Sequence, residues 1–388
     1  MKRPHLVHFS AILNEDFLSI RAGMTMKENP IPHGGVYYNL AQELAQNIEK
    51  EIFSPRFPIA SIRLLKGKTY QMKIVAMANG SEVYRKIFES DSHGNFNFKI
   101  PLNDERRNIN ALSVYEVSLT PGLELLLGSY IPLVLARPSK LIICDFDKTL
   151  VDTKYSTTKE VYFSLTKPLE YFPTVTRSVA ILRSFNKKGF HPFIVSASPH
   201  FYEEAIRDWL YQRKIFTAGI FLKDYRQVFS LFEMDLTPKD LKLHGLYKLN
   251  HLLDILLMAG IPNDIVLMGD NFEADPVIYL ALVSFLLEHQ DPRTFWQKLK
   301  KLKAFQMNHK QDAQLLSKFY QLNNIRLKNE NQNQKITAKI YIRRKLQEES
   351  IEIPDVLKKF SSVIELYDGN AEILNANVKE ESLVQKAE

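Results

Sequence analysis

The sequence predicts an α/β protein in which a mostly parallel, doubly wound sheet follows a small antiparallel β-sandwich. Two observations lead to this prediction. Between residues 61 and 135, short alternating segments recur at hairpin spacing, with Asn79-Gly80 as a turn signal. After Arg137-Pro138, apolar runs alternate instead with amphipathic segments of helical length. A chain of 388 residues is long enough for two such domains with extensions.

The β-rich domain is predicted over residues 56–137. Short strands with intervening turns are typical of a β-sandwich. Its strands would be SIRLLKG, TYQMKIVAM, EVYRKIFES, NFNFKIPL, ALSVYEVSL and ELLLGSYIPLVL. Residues 1–55 are predicted to form an N-terminal extension whose one regular element is an amphipathic helix from Ala41 to Phe53.

The doubly wound domain is predicted over residues 138–345, with a basic helical insert at about 290–335. Its strands would be LIICDF, FHPFIVSAS, TAGIFLKD, DIVLMGD and KIYIRR, and its first helices RSVAILRSFNKKG, FYEEAIRDWLYQR and LYKLNHLLDILLMAG. The connections are too short for a large cap domain. Residues 346–388 are acid-rich and are predicted to be a partly disordered tail.

Composition limits the setting of the protein. A net charge of +7 and a pI near 9.1 favour anionic partners, although a solubilising surface excess is the commoner cause. The single cysteine, Cys144, excludes an intrachain disulfide and fits a cytoplasmic location, with peripheral membrane attachment as an alternative. No stretch has the length and apolarity of a signal peptide or a membrane span.

Acidic residues stand where buried strands end. Asp145 and Asp147 directly follow the apolar run LIIC, and a buried ion is costly unless it is paired or bound to metal. Ser196 follows a second predicted strand, Lys248 lies on a predicted helix, and Asp270 ends the strand DIVLMGD. These residues should converge because a parallel sheet gathers its loops at the carboxyl ends of its strands.

This set of side chains suits phosphoryl transfer through a covalent aspartyl-phosphate. Asp145 would be the nucleophile and a metal ligand. Asp147 would be general acid and then base, with its carbonyl also on the metal. Asp270 would bring another carboxylate to Mg²⁺, which prefers oxygen ligands. Ser196 would donate to the phosphoryl group and Lys248 would neutralise its charge. The supporting residues would be Thr149, Asn271 and Asp275, the last of which would orient the lysine.

Some assignments have competitors. Ser198 lies two residues beyond Ser196 and could take its place. Lys239 and Lys242 precede Lys248, which is preferred because it opens the helix leading to Gly269. The pair Asp275-Pro276 also fits the start of a helix, a role compatible with orienting a lysine.

Taken together, these motifs resemble those of a known superfamily. DFDKTLVDT, Ser196, Lys248 and GDNFEADP look like the four motifs of the haloacid dehalogenase (HAD) superfamily of Mg²⁺-dependent phosphatases. IVSASPHFYEEAIRDWL, GDNFEADPVIY and KIYIRR are similar to the actin-patch type phosphatidate phosphatase family, over roughly residues 60–287 and 336–345. There, too, a β-rich domain with a turn like SDSHGNFNF precedes the catalytic part.

The resemblance implies a HAD-like (Rossmannoid) sheet with little or no cap and a hydrolase that converts phosphatidate to diacylglycerol in lipid metabolism. The chain departs from that family in two places. Lys148 stands where an acidic residue is usual, and about fifty residues separate GDNFEADPVIY from KIYIRR, where the family has a short link.

The insert bears a basic run, WQKLKKLK, which has two interpretations. Its lysines could lie on an anionic membrane and bring the enzyme to a lipid, or they could form an ordinary solvated helix face. They are Lys298, Lys300, Lys301 and Lys303. Two alternative functions stay open: a HAD phosphatase acting on a nucleic-acid end or another phosphoester, nucleic acid being the less favoured partner, and a non-catalytic binding or scaffold protein.

Overall fold

The computed structural model describes ten segments, which form a β-rich unit and an α/β unit. They are residues 3–27, 68–117, 122–153, 169–199, 202–223, 244–271, 274–305, 309–330, 335–344 and 352–369. The helix predicted at 41–53, the strand predicted at 61–67, and Lys239 and Lys242 all lie outside these residues.

Two four-stranded sheets form the β-rich unit within the described segments. Their orders are β5-β2-β1-β8 and β4-β3-β6-β7. The strands are β1 (Arg3–Leu13), β2 (Phe17–Lys27), β3 (Gln71–Ala78), β4 (Ser81–Glu89), β5 (Asn95–Pro101), β6 (Ile109–Val117), β7 (Glu124–Tyr130) and β8 (Leu133–Val134). Side chains from both sheets, such as Ile20 and Ile74, share one buried core. The unit is thus a sandwich, antiparallel except where β8 pairs in parallel with β1.

The prediction that residues 1–55 form an extension with one helix was wrong for residues 3–27. These residues form β1 and β2, which pair with each other, and β2 pairs with β5. The period-two pattern of β1 is interrupted because the register shifts between Val7 and Ser10, where His8 has a φ of 55°. Because of this bulge, the sequence of β1 lacks the regular alternation that predicts a strand.

The α/β unit contains a six-stranded, wholly parallel sheet of order β11-β10-β9-β12-β13-β14. Its strands are β9 (Lys140–Asp145), β10 (His191–Pro199), β11 (Gly219–Lys223), β12 (Asp264–Asp270), β13 (Thr337–Arg343) and β14 (Ile364–Tyr367). Its α-helices are α1 (Thr176–Lys187), α2 (Glu203–Gln212), α3 (His244–Ala259), α4 (Asp275–Leu287), α5 (Pro292–Leu299) and α6 (His309–Glu330). The predicted α/β class with a mostly parallel sheet is confirmed.

Helices cover both faces of this sheet. Leu141 and Ile143 of β9 face a core shared with α3 to α6, whereas Ile142 and Cys144 face one shared with α1 and α2. Burial on both faces explains the uninterrupted apolar run LIIC. No helix in the described part of the chain has the length and apolarity needed to cross a membrane.

The α/β unit extends beyond the predicted boundary at residue 345. The prediction of an acid-rich, partly disordered tail over 346–388 was wrong for residues 352–369, which contain a 3₁₀ helix (Asp355–Val363) and β14. Leu357 and Phe360 of the 3₁₀ helix are buried in the core beside α4. This apolar pair stabilises a segment whose overall composition is polar.

The region of the predicted basic insert contains α5 and α6, which belong to the core. Phe295, Trp296 and Leu299 of α5 are buried, and the indole of Trp296 donates to Asp312 on α6. The four lysines of the basic run are exposed on the opposite side. The segment is therefore amphipathic, with apolar side chains buried on one face and lysines exposed on the other.

The β-sandwich contacts the α/β unit through the edge strand β11 and the start of α2. The backbone N–H of His8 donates to Glu203 at 2.6 Å, and Ser10 Oγ donates to the carbonyl of Ala218 at 2.7 Å. The Arg21 guanidinium lies 4.1 Å from the centre of the Phe221 ring. Two hydrogen bonds and one cation–π contact thus join the two units.

Next to this contact, the ring of His251 on α3 lies 5.8 Å from the ring of Phe221. Burial lowers the pKa of His251 well below its ordinary value of 6.5, and the positive charges of Arg21 and Lys318 lower it further. The folded protein therefore resists protonation of this ring, whereas the unfolded chain accepts it.

We expect the free energy of unfolding to fall as the pH decreases below 6.5, because the unfolded state then binds a proton that the folded state excludes. His251→Gln should reduce this acid-side loss. Urea midpoints at pH about 5 and about 7.5 measure this loss, with His289→Gln, at an exposed position, as the matched control. An equal loss of stability in all three proteins would contradict the assignment to His251.

Candidate active site

The sequence-predicted residues meet at the carboxyl edge of the parallel sheet. Val195 pairs with Asp145, and Met268 pairs with Cys144, so Ser196 and Asp270 reach the same edge as Asp145. The N-terminal parts of α3 and α4 bring two further charged residues to it. Seven of the charged and hydroxyl side chains gathered there are buried: Asp145, Asp147, Thr149, Ser196, Lys248, Asp270 and Asp275.

Lys248 lies between two carboxylates. Its Nζ is 3.0 Å from Asp145 Oδ1 and also donates to Asp275 Oδ1. The other oxygen of Asp145 accepts a hydrogen bond of 3.1 Å from Thr149 Oγ1. Asp275 is the first residue of α4, followed by Pro276, so it begins the helix and holds the lysine at once. These contacts fix the orientation of the Asp145 carboxylate.

Asp270 adds a third carboxylate to this group. Ligand oxygens of Asp145, Asp270 and Asp275 lie within 4.8 Å of one another, and all three residues are buried. Three buried carboxylates beside one lysine leave an excess of negative charge, and their donor atoms are all oxygens. This arrangement fits a hard divalent cation such as Mg²⁺.

Gly269 provides the room for this packing. A Cβ atom at this position would lie 2.7 Å from Cε2 of Tyr279 and would clash with the Asp275 carboxylate. The Tyr279 hydroxyl in turn donates to the carbonyl of Met268 at 2.9 Å. A larger residue would therefore displace the aspartate that holds Lys248.

The carboxylate of Asp147 points to a separate group of hydroxyls. Ser196 Oγ donates to Asp147 Oδ2 at 2.6 Å, and Ser198 Oγ donates to the same oxygen at 2.8 Å. Thr153 Oγ1 donates to Asp147 Oδ1 at 3.2 Å. Ser196 and Ser198 thus both reach the site, and sequence reasoning did not assign Thr153 any role.

The loop after Asp145 contains a left-handed turn. Lys148 has a φ of 59°, a conformation uncommon for residues other than glycine. Arg343, at the end of β13, donates to the carbonyl of Lys148 and, at 3.2 Å, to Asp152 Oδ1. The carbonyl of Arg343 accepts a hydrogen bond of 3.1 Å from the backbone N–H of Asn271. Sequence reasoning noted KIYIRR but gave Arg343 no role.

Comparison with known proteins identifies the segment that carries this site. Residues 140–289 match a known enzyme family. The description of that family is "Phosphatidate phosphatase APP1, catalytic domain". The predicted resemblance to this family is confirmed, and the family is one of phosphoric monoester hydrolases, the enzyme class that the sequence predicts. The matched residues include β9 to β12 with Asp145, Ser196, Lys248 and Asp270.

Other comparisons add little. No curated protein matches this chain. A solved calcium binding mutant of Bacteroides uniformis beta-glucuronidase 2 is 11% identical, with 87% of this chain and 33% of that chain covered and a TM-score of 0.23. A Paenibacillus sp. cycloisomaltooligosaccharide glucanotransferase complexed with cycloisomaltoheptaose is 9% identical, with 95% and 53% covered and a TM-score of 0.18. Likenesses this weak carry no argument about fold or function.

Proposed function

We propose that this protein is a Mg²⁺-dependent phosphatase of the HAD type that hydrolyses a lipid phosphate monoester, phosphatidate to diacylglycerol, through an aspartyl-phosphate on Asp145. The observation that carries the proposal is the buried contact of Lys248 with Asp145 and Asp275, with Asp270 beside them. This cluster lies inside the segment that matches a phosphatidate phosphatase family.

Each chemical step has a residue. An Asp145 oxygen attacks phosphorus, the bond between phosphorus and the ester oxygen breaks, and protonated Asp147 gives its proton to the departing alkoxide. Asp147 then accepts a proton from water, the water oxygen attacks phosphorus, and inorganic phosphate leaves Asp145 as a carboxylate. Lys248 holds the nucleophile in place throughout.

The cation site would use Asp145, Asp270 and the carbonyl of Asp147. Bound Mg²⁺ would offset the charge of the phosphate oxygens, which otherwise repel a carboxylate nucleophile. Asp275 is committed to Lys248 by their direct contact. In this proposal Asp145 and Asp270 would serve the cation and Asp275 the lysine, while Asp145 also contacts the lysine.

The hydroxyls around Asp147 suit its two roles. Ser196 and Ser198 donate to one oxygen of this carboxylate, and Thr153 donates to the other. Donors on both oxygens hold the group in one orientation, which a proton donor to a bound ester requires. Rotation of Ser196 away from Asp147 would let it donate to the phosphoryl group instead.

The lipid assignment has support from the insert. Lys298, Lys300, Lys301 and Lys303 are exposed, and the turn at 303–305 packs against α3, the helix that carries Lys248. Two of these lysines already have local partners, since Lys300 Nζ lies 3.2 Å from Asp312 and Lys298 Nζ lies 3.3 Å from Gln290. The positive charge of the remaining lysines, Lys301 and Lys303, would contact an anionic membrane.

We expect the charge reversal Lys298→Glu/Lys301→Glu/Lys303→Glu to reduce phosphate release from phosphatidate vesicles by on the order of 100-fold, because each lysine near an anionic surface contributes about 1 kcal/mol to binding. Hydrolysis of p-nitrophenyl phosphate, which needs no membrane, should be unchanged. The matched control reverses three exposed lysines elsewhere: Lys86, Lys187 and Lys188.

Each outcome has a clear meaning. Mg²⁺-dependent release from vesicles by the native protein supports the proposed function. Release from the soluble ester alone would contradict the proposal of a lipid substrate but would still support the proposed phosphatase reaction. Release from a phosphorylated DNA end instead would favour a nucleic-acid substrate, and no release from any of the three would favour a binding protein. An equal loss in the control triple would contradict the lysine surface.

A further inference from the structure

Four strands of the parallel sheet place a row of polar side chains along its carboxyl edge. Asp270 on β12 pairs in register with Arg343 on β13, and Arg343 pairs with Tyr367 on β14. Asp145 ends the neighbouring strand β9. Arg343 is therefore one strand away from a carboxylate of the proposed cation site, and its side chain is only 7% exposed.

The guanidinium of Arg343 reaches the loop that follows Asp145. It donates to the carbonyl of Lys148 and to Asp152 Oδ1, so it holds the loop at two points. Between these points lies Thr149, which donates to the nucleophile Asp145. Because Arg343 binds the carbonyl of Lys148 itself, it stabilises the left-handed turn there.

The C-terminal segment covers this guanidinium. A Cβ atom at Gly369 would lie 3.1 Å from Arg343 Nε, which shows how closely the chain passes. Tyr367 exchanges a 2.8 Å hydrogen bond with Ser178 on α1, and Arg177 donates to the carbonyl of Asp368 at 3.2 Å. Exclusion of water strengthens the contacts that the guanidinium makes with the loop.

We propose that Arg343 is a positioning residue that fixes the loop from Asp145 to Asp152 in its reacting conformation. The inference rests on the proposed function. Its physical basis is geometric: Nη1 of the rigid guanidinium donates to both a carbonyl and a carboxylate on two sides of Thr149, whereas a lysine ammonium lies one bond nearer the backbone on a flexible stem. Loss of these two contacts would free the turn that sets the position of Asp147 relative to Asp145.

The test compares Arg343→Lys, Asp152→Asn and the same-strand control Lys339→Ala. Lys339 is half-exposed and pairs with Glu365 at 2.7 Å on the surface. We expect Arg343→Lys to lower kcat by about 100-fold on p-nitrophenyl phosphate, the cost of a small misplacement of reacting groups, while KM changes by less than about two-fold. Asp152→Asn should lower kcat by a smaller factor, and the control Lys339→Ala should leave kcat unchanged.

Two further readouts separate positioning from a merely structural role. In Arg343→Ala, added guanidinium ion should restore part of kcat, whereas tetramethylammonium should not. In Mg²⁺-free buffer, amides of residues 146–153 should exchange hydrogen faster in Arg343→Lys than in the native protein, with the rest of the sheet unchanged.

The outcomes distinguish this inference from the proposed function. If Arg343→Lys keeps native kcat and native loop exchange, positioning by Arg343 is wrong while the phosphatase assignment is unaffected. A global loss of protection without guanidinium rescue would mean that Arg343 is structural only, and would also overturn the inference. If the native protein releases no phosphate, the proposed function fails, and the loop-exchange comparison still decides whether Arg343 holds the loop.

Discussion

Asp145→Asn should reduce the turnover of phosphate esters by on the order of 10⁴-fold or more, because an amide cannot attack phosphorus as a carboxylate does. The fold should persist. Lys248 retains its contact with Asp275, and Thr149 can still donate to the amide oxygen at position 145. Steady-state phosphate release with and without Mg²⁺ measures the turnover, and the midpoint of thermal unfolding shows whether the fold persists.

The matched control is Asp264→Asn, at the opposite end of the parallel sheet. Asp264 begins β12, is partly exposed and makes a distant 4.0 Å contact with Lys140. Its substitution should leave turnover within about two-fold, since surface pairs of this kind contribute little. Turnover by Asp145→Asn above a hundredth of the native rate would contradict a nucleophilic role for this residue.

Lys248→Met should destabilise the protein by about 3–5 kcal/mol and abolish activity, because it leaves the buried carboxylates of Asp145 and Asp275 without their shared cation. Lys248 is fully buried, and Asp275 is equally enclosed. The methionine retains most of the side-chain volume, so the effect reports charge more than packing. Urea denaturation in Mg²⁺-free buffer gives the change in the free energy of unfolding.

Two variants sharpen this prediction. Lys339→Met breaks an exposed pair, in which Lys339 lies 2.7 Å from Glu365, and should cost much less. Adding Asp275→Asn to Lys248→Met should recover part of the stability and none of the activity, since it removes an uncompensated charge but does not restore the lysine. If the double variant is no more stable than Lys248→Met, charge compensation at this site is refuted.

The arrangement of the carboxyl edge was predictable from the sequence because three patterns coincide there. The apolar run before Asp145 requires a strand buried on both faces, and DIVLMGD requires the same before Asp270. Parallel strands then bring both residues to one edge. Lys248 could be chosen only from its place on a helix, and the structure puts its Nζ 3.0 Å from Asp145.

Other parts of the site could not be predicted in this way. The role of Arg343 depends on β13 lying beside β12 and on the reach of a side chain back to Lys148, and neither follows from local pattern. β14 has only four residues, Ile364–Tyr367, in an acid-rich stretch whose Glu365 is on the surface. Such a short strand is stabilised by its neighbour β13 and by the buried Tyr367.

The N-terminal strands were missed for a different reason. In β2, alternating residues from Leu18 to Met24 are buried, a pattern that does predict a strand. Its partner β1 contains the bulge at His8, which interrupts the alternation of buried and exposed residues along this strand of 11 residues. Without a regular partner nearby, β2 lacked the hairpin context that made the later strands of the sandwich recognisable.

Chemical trapping can show whether the phosphoryl group is transferred to Asp145 during turnover. The native protein is mixed with Mg²⁺ and a phosphate ester, quenched in acid during turnover and reduced with borohydride, and the peptide around residue 145 is analysed by mass spectrometry. An acyl phosphate on Asp145 would appear as homoserine at that position, in an amount that depends on substrate and vanishes in Asp145→Asn. Rapid phosphate release with an unmodified Asp145 would contradict the covalent mechanism.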